Sequence, residues 1–319
     1  MPDVIAGVDL GGTKIQVVLL RDQQMLASER GPTPRSGGAA DVIQAVAEAV
    51  TGALETAGLE PGDLRAVGIG SPGEIDQRAG TVSRAANVPG FFDTVALADE
   101  LSRQLGGVPV SVDNDVRAAV RGEHQRGAGR PYRNFLGVFV GTGVGGGLVL
   151  ENELREGRGA AGEIGHTVVK DGGRECSCKR RGCLEAYAGR GRIEVRAREL
   201  AKQGRHTELF DIMRKHDRDR VTSGVIAKAL DKGDELTVEL IDDAVWALGL
   251  ALASAQNLLD LEAIIVGGGL GDRLGRPFVD RIAESMRPHV FVDTDPPAML
   301  TTELGDLSGA VGAAVLAGG

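Results

Sequence analysis

Aromatic side chains are scarce: Phe, Tyr and Trp together make up 3% of 319 residues, with a single Trp. Few rings are available to stack on nucleobases or sugars. Positive charge is also in deficit. The net charge is −9, and an acidic surface repels a phosphate backbone, which argues against nucleic acid as a partner. One local basic run, Lys179-Arg180-Arg181, reads as a solvated surface turn. No apolar stretch approaches the ~20 residues of a membrane span, so no membrane association is expected. The opening MPDVIAGVDLGG carries Asp3 and Asp9, where a signal peptide needs a basic start and a long apolar run. The three cysteines cannot all pair with one another. The expected compartment is the reducing cytoplasm, where clustered cysteines more often bind metal than form disulfides.

Glycine, in contrast, is abundant: 48 residues, about twice the usual share. It shows no collagen-like period, so the excess belongs in turns and close-packed elements. The length suits two domains at ~100–200 residues each, and 42% hydrophobic residues suffice for a sizeable core.

The order of patterns is informative. Residues 4–8 are an apolar run that ends in Asp9-Leu10-Gly11-Gly12-Thr13-Lys14, and residues 15–20 are apolar and β-branched again. Apolar run, glycine turn, apolar run predicts a β-hairpin, with a third strand over 24–28. Helical spacing covers 40–57, with Val42, Ile43, Val46, Val50 and Leu54 on one face. A strand at 66–69, a helix at 94–105 and a strand at 108–112 follow. That last strand leads through Asp113-Asn114-Asp115 into a helix reaching about residue 125. Then the pattern restarts: a strand over 135–140, the turn Gly141-Thr142-Gly143-Val144-Gly145-Gly146-Gly147, and a strand over 148–150. A long polar loop spans 151–182. Helices are predicted over 184–203, 208–215, 223–232 and 235–259, then a strand over 263–266, a helix over 273–286 and a small-residue helix over 308–317. The repeated strand-turn-strand unit supports two related α/β lobes with a cleft between them.

The two turns suit phosphate. Backbone N–H groups in a tight glycine turn point together at an anion, and glycine permits close approach. Thr13, Lys14 and Thr142 add side-chain donors, and Asp9 is placed to hold Mg²⁺ against the phosphates. Gly141, Gly143 and Gly146 satisfy G-x-G-x-x-G, but the dinucleotide version needs a helix after the turn and a strand is predicted here. Gly7-x₄-Gly12-Thr13-Lys14 falls short of a Walker A motif, because Thr and Lys are reversed. An ordinary tight hairpin explains either turn alone; the repeat in both halves favours phosphate. Transfer of phosphate from a nucleotide to a small hydroxyl substrate then needs a carboxylate beside the attacking hydroxyl. Asp115 sits where a strand gives way to a helix, a usual place for site residues in α/β sheets, and could accept the hydroxyl proton. A helix N-cap is the competing reading of Asp115.

Cys176-x-Cys178-x₄-Cys183 lies at the end of the long loop, with His166 ten residues before Cys176. Three thiolates and an imidazole make a closed tetrahedral Zn²⁺ site, structural rather than catalytic. The alternative is three unligated thiols in a basic loop. Glu163 and His166 form an E-x-x-H pair, but Gly162 and Gly165 argue against the helix that a di-iron site needs.

The chain resembles the ROK sugar kinases of the actin/hexokinase-like ATPase superfamily. The matching stretches are Asp9–Lys14, Ser71-Pro-Gly73, Asn87-Val-Pro-Gly90, Asn114-Asp115, Gly141–Gly146, Gly162–His166, Cys176–Glu185 and Gly267-Gly268-Gly269, in the family's order over most of the chain. The resemblance implies a two-lobed actin-like ATPase (ribonuclease H-like) fold, with an N-terminal lobe over 1–116, a larger lobe over 117–305, and a C-terminal helix from about 306 packing back on the first. It implies that Asp115 is the catalytic base, with Asn114 beside it on the sugar. Glu163, His166 and Glu185 would read sugar hydroxyls, and Asn87 and the backbone near Gly73 would complete that pocket. His166 would bind zinc through one ring nitrogen and face the sugar with the other. Gly11, Gly12, Thr13, Lys14, Gly141, Thr142 and Gly143 would bind phosphates, and Gly267, Gly268 and Gly269 would lie near the adenosine.

The expectation is an ATP- and Mg²⁺-dependent glucokinase with structural zinc, and a homodimer or homotetramer. Rival readings are another hexose as acceptor (mannose, fructose, N-acetylglucosamine or N-acetylmannosamine), polyphosphate as donor, and a sugar-responsive regulator. ROK repressors carry an N-terminal DNA-binding module, and only three residues precede the first strand, which favours the enzyme. Two departures stand out: Lys179 follows the second cysteine where the family usually has Gly, and Phe91 follows Asn-x-Pro-Gly where it often has Trp. Asp113, where the family often has Glu, is a milder change.

Overall fold

The computed structural model describes residues 3–22 and 24–318. The opening run forms β1 (Val4–Leu10), which turns at 11–13 into β2 (Lys14–Arg21) and then β3 (Gln24–Pro32), all antiparallel. Helix α1 (Ala39–Thr56) follows, its first turn fixed by the Asp41 carboxylate accepting from the Gly38 N–H at 2.7 Å. Its predicted apolar face, Val42, Ile43, Val46, Val50 and Leu54, is buried. Next come β4 (Leu64–Ser71), a small hairpin of β5 (Glu74–Asp76) and β6 (Thr81–Ser83), α2 (Leu97–Gln104), β7 (Val110–Asn114) and α3 (Asp115–Arg126). The first sheet has the order β3-β2-β1-β4-β7, with β1, β4 and β7 parallel.

The second half repeats this plan. Strand β8 (Phe135–Val140) pairs antiparallel with β9 (Val144–Leu150), which pairs with β10 (Glu153–Arg155). Helices α4 (Glu185–Ala188), α5 (Arg190–Lys202), α6 (Leu209–Lys215), α7 (Ser223–Asp231) and α8 (Glu235–Leu259) precede β11 (Ala263–Gly267), α9 (Gly268–Met286), β12 (Ala298–Thr301) and α10 (Ser308–Gly318). The second sheet has the order β10-β9-β8-β11-β12, again a three-stranded antiparallel ribbon joined to two parallel strands. The two sheets correspond strand for strand. Parallel strands need crossover connections, and the helices between them supply these.

Contacts divide the chain into one unit of Met1–Arg130 with Asp306–Gly319 and another of Pro131–Gly305. The boundary lies after α3 rather than at 116/117, because α3 packs on α10 and so stays with the first unit. Helix α10 also packs on β1 and β4. Each unit has its own apolar core. No helix among the described residues is long and apolar enough to cross a membrane.

Several elements depart from the sequence expectation. The helix predicted over 184–203 is two helices, α4 and α5, because Gly189 takes an extended conformation between them (φ −66°, ψ 125°). Helix α9 starts at Gly268 rather than at 273, and kinks at Gly275 (φ 61°, ψ −150°). Helix α2 starts at Leu97, three residues later than the pattern suggests. The short strands β5, β6, β10 and β12 carry too few residues for an alternating pattern to register.

Candidate active site

In the first unit the turn after β1 is closed by the Gly11 N–H donating to the Lys14 carbonyl at 2.9 Å. The buried Thr33, just beyond β3, fastens it, its hydroxyl donating to the Gly11 carbonyl at 2.6 Å. Gly12 is required by close approach: a Cβ there would lie 2.7 Å from the Asn87 carbonyl oxygen. The turn and Asn87 are therefore neighbours. Lys14 pairs with Asp306 at 3.1 Å.

Asp9 is the last polar residue of β1, and a Cβ on Gly309 of α10 would lie 2.9 Å from its Cγ. The residue is half-buried, with its carboxyl desolvated. Burial first, then the Asp115 carboxylate, push its pKa up to about 7, against the lowering effect of Lys14. The Asp9 and Asp115 carboxylates thus share one electrostatic environment.

Asp115 opens α3, but it is not the N-cap. That role belongs to Asn114, whose side-chain oxygen accepts from the N–H groups of Val116 (3.0 Å) and Arg117 (3.1 Å). Beneath them the Asp113 carboxylate is fully buried, bound by Arg117 at 2.7 Å and Arg121 at 3.2 Å, and it accepts from the Asn114 N–H at 2.7 Å. Arg117 and Arg121 lie on the helix that Asp115 begins, so this network fixes the first turn of α3 to the end of β7. Gly70, on β4, lets that turn approach: a Cβ there would be 3.3 Å from Asp115 Cα. Gly73 has φ +102° and lies against Ser83 of the small hairpin and Ala85 just beyond it.

In the second unit the Gly141 N–H donates to the Gly143 carbonyl at 2.9 Å, one residue tighter than the Gly11 to Lys14 closure. Helix α5 docks on this turn. The N–H groups of Arg190 and Gly191 donate to the carbonyls of Gly141 (3.0 Å) and Thr142 (2.9 Å), and the Arg190 guanidinium donates to the Thr142 hydroxyl at 2.8 Å. Burial depresses the Arg190 pKa. Glu185, buried in α4, accepts from the Val144 N–H at 3.0 Å and from the Ser177 hydroxyl. Gly143 has no room for a side chain, since its Cβ would lie 2.3 Å from Glu185 Oε2. Gly268, at φ +81°, abuts Val140 immediately before the turn, its Cβ position 2.8 Å from the Val140 nitrogen. Gly267 closes β11, and Gly268 and Gly269 form the first turn of α9.

His166, Cys176, Cys178 and Cys183 converge, with one donor atom from each lying within 4.8 Å of the others. The Cys178–Cys183 sulfur separation and the Cys176 Sγ to His166 Nδ1 separation are both 3.8 Å. Tetrahedral zinc–sulfur bonds of roughly 2.3 Å place sulfurs about 3.8 Å apart, so the cluster has the size of a zinc site. In the absence of metal, burial drives the Cys176 thiol up to about 12 and raises Cys183. Burial acts the same way on Cys178, but the Arg180 N–H, the neighbouring thiols and the Arg180 charge together bring it below the usual value. The 162–166 segment carrying Glu163 and His166 packs on β9, where a Cβ on Gly165 would lie 1.9 Å from the Val144 carbonyl oxygen. Glu163 itself is exposed.

The predicted site residues thus fall into two groups. Asp9, Gly11–Lys14, Asn87, Asn114 and Asp115 gather in the first unit. The turn 141–143, Glu185, the Cys/His cluster and Gly268 gather in the second. Thr33 and Arg190 escaped the sequence reading because each acts through a contact distant in the chain, and Arg117, Arg121 and Ser177 because their types and spacing do not reveal the buried carboxylate each one meets.

The ROK family model matches residues 5–319. A glucokinase of Halalkalibacterium halodurans is 33% identical over 312 residues, covering 96% of this chain and 92% of that protein. A glucokinase of Thermotoga maritima is 35% identical over 295 residues, covering 91% and 90%. The crystal structure of a ROK family glucokinase from Streptomyces griseus in complex with glucose and AMPPNP superimposes with a TM-score of 0.81 at 33% identity, covering 98% of this chain and 99% of that one.

Proposed function

This chain belongs to the ROK family, and we propose that it is a glucokinase, transferring the γ-phosphoryl group of ATP to the 6-hydroxyl of glucose. The observation that carries the mechanism is the setting of Asp115. Its neighbour Asn114 takes over the capping of α3, and the buried Asp113–Arg117–Arg121 network holds the turn in place. One Asp115 oxygen also accepts from the Val116 N–H at 2.9 Å, which orients the carboxylate, and with the N-cap supplied by Asn114 this setting suits a general base.

In the proposed reaction Asp115 accepts a hydrogen bond from the 6-hydroxyl and takes its proton as the O6–P bond forms and the bond from Pγ to the β,γ-bridging oxygen breaks, releasing ADP. Asn114, whose side-chain oxygen is committed to the helix, offers its NH₂ to the sugar. Asn87, Glu163, His166 and Glu185, with the backbone at Gly73, read the remaining hydroxyls. The carboxylate oxygens of Glu185 already accept bonds from Val144 and Ser177 and have lone pairs left for a sugar hydroxyl. Gly11, Gly12, Thr13 and Lys14, with Gly141, Thr142 and Gly143, hold the phosphates, and Gly267, Gly268 and Gly269 border the adenosine.

Asp9 fits a magnesium role. Its carboxylate, desolvated and repelled by the Asp115 charge beside a phosphate turn, calls for a cation, and Mg²⁺ there would neutralise phosphate charge. The Cys176, Cys178, Cys183 and His166 Nδ1 donors fit Zn²⁺ by type and spacing. Zinc would tie the loop carrying Ser177 to His166, a structural contribution.

Asp115→Asn tests the mechanism. Turnover of glucose with ATP is expected to fall by about 10²–10⁴-fold, while glucose binding measured by calorimetry persists. Near-normal turnover would sink the base assignment.

A further inference from the structure

Away from those residues, the second unit has a hollow of about 530 Å³ lined by Lys170, Arg174, Arg181 and Arg196. Asp243 is the only carboxylate among its lining residues, in a chain whose net charge is −9. All three residues of the basic run noted in the sequence are exposed, and of them Arg181 lines the hollow. Arg174 is paired with Asp243 and Arg196 with Glu199, while Lys170 and Arg181 bring positive charge for which no ion pair is seen among the described residues.

Their donors are largely unspent. Arg174 pairs with Asp243, lies over the Tyr187 ring at 4.7 Å, and donates its backbone N–H to the Tyr187 hydroxyl at 3.1 Å. Among the described residues Arg181 uses its Nε alone, on the Gly172 carbonyl at 3.3 Å. Arg196 pairs with Glu199 at 3.2 Å, but its Nε is buried without a hydrogen-bond partner. A buried unsatisfied donor is costly unless something fills its place. The floor is aromatic: Trp246 packs edge-to-face on Tyr187 with ring centroids 5.5 Å apart.

We propose that this hollow is a second ligand site, separate from the phosphate turns, which binds a phosphate group. Guanidinium forks match phosphate oxygens in pairs. The volume exceeds what a bare phosphate needs and accommodates a phosphate ester whose carbon portion lies on Trp246. Arg174 and Arg181 belong to the same loop as the cysteines, so occupancy would brace that loop from its outer side.

Trp246 is the sole tryptophan, so intrinsic fluorescence reports on this hollow directly, and it does so without ATP or turnover. The zinc-loaded protein is titrated with inorganic phosphate and with glucose 6-phosphate at ionic strength held constant with sodium chloride. A saturable change in Trp246 emission is expected. Equal affinity for both ligands assigns the site to free phosphate, and tighter binding of glucose 6-phosphate assigns it to the ester. Lys170→Ala and Arg196→Ala, made separately and each checked for unchanged circular dichroism, are expected to weaken binding by about tenfold or more. They leave glucose phosphorylation in the absence of added phosphate unchanged. A linear, unsaturable response, or affinities unaltered in both variants, overturns the proposal. Either result leaves the kinase assignment untouched, because that rests on Asp115 and is read by turnover.

Discussion

Lys179 shows how a single residue departs from its family and keeps the local geometry. It stands where a glycine is usual and adopts φ +68°, the left-handed region that costs a non-glycine residue roughly 1–2 kcal/mol. The turn closes regardless, with the Lys179 N–H donating to the Cys176 carbonyl at 3.0 Å and the Cys176 N–H to the Arg180 carbonyl at 2.8 Å. Lys179→Gly relieves the strain but adds freedom to the unfolded chain, worth about 0.4–1 kcal/mol the other way. A net gain of about 0.5–1 kcal/mol is expected from urea unfolding of the zinc-loaded protein. A loss would mean that the lysine side chain contributes contacts of its own. Asp9 makes the other prediction at this scale. An aspartate in the unfolded chain titrates near 3.8, and in the fold Asp9 titrates at about 7. The folded state therefore binds the proton more tightly. Its contribution to stability is complete below the unfolded value and is lost as pH rises through about 7. Without Mg²⁺, Asp9→Asn is expected to melt above the wild type at pH 8, with the gap closing as pH falls towards 4. Thermal melts across that range check it, and a pH-independent gap would contradict it.

Among the elements, α10 depends most on small residues. A Cβ on Gly312 would lie 1.7 Å from the Ala118 carbonyl oxygen of α3, one on Gly7 1.9 Å from that of Ala310, and one on Gly68 1.8 Å from that of Ala313. Backbone thus meets backbone on three sides, and backbone cannot step aside as a flexible side chain can. Gly309 of the same helix rests on Asp9, so moving α10 moves the carboxylate too. Gly312→Ala is expected to destabilise the protein by about 1–3 kcal/mol or more and to raise the KM for Mg²⁺-ATP. Melting and steady-state kinetics test both, and a variant with wild-type stability would show that α10 has slack. The small-residue character of 308–317 was visible in the sequence, because glycine and alanine at helical spacing signal close packing. Which surfaces they meet was not, since α3, β1 and β4 lie far away in the chain. The same holds for α4 and α5. Their residues read as one helix because local spacing does not show that Gly189 must turn extended for Arg190 and Gly191 to reach the carbonyls of the 141–143 turn.

At the scale of the whole molecule, two sheets of matching strand order carry two apolar cores with no residue in common. The Cys/His cluster belongs to the second core, where Cys176 and Cys183 are buried. Calorimetric unfolding is accordingly expected to depart from a single two-state transition. Chelation of zinc should lower one component, that of the second unit, and leave the other in place. Equal displacement of both would show that the cores melt together.

Much of this architecture was written in local pattern. The two strand-turn-strand units, their glycine and threonine residues, the acid at the start of a helix and the Cys/His spacing are all short-range features, because hydrophobic periodicity and turn chemistry act over a few residues. The kinase reading followed from their order along the chain. Only the tertiary structure decided which of these groups are committed elsewhere. Asn114 rather than Asp115 caps α3, Glu185 receives the backbone of the second turn, and Asp113 is buried between two arginines of the following helix. Each of these assignments depends on distance and burial, which arise when segments remote in sequence pack together.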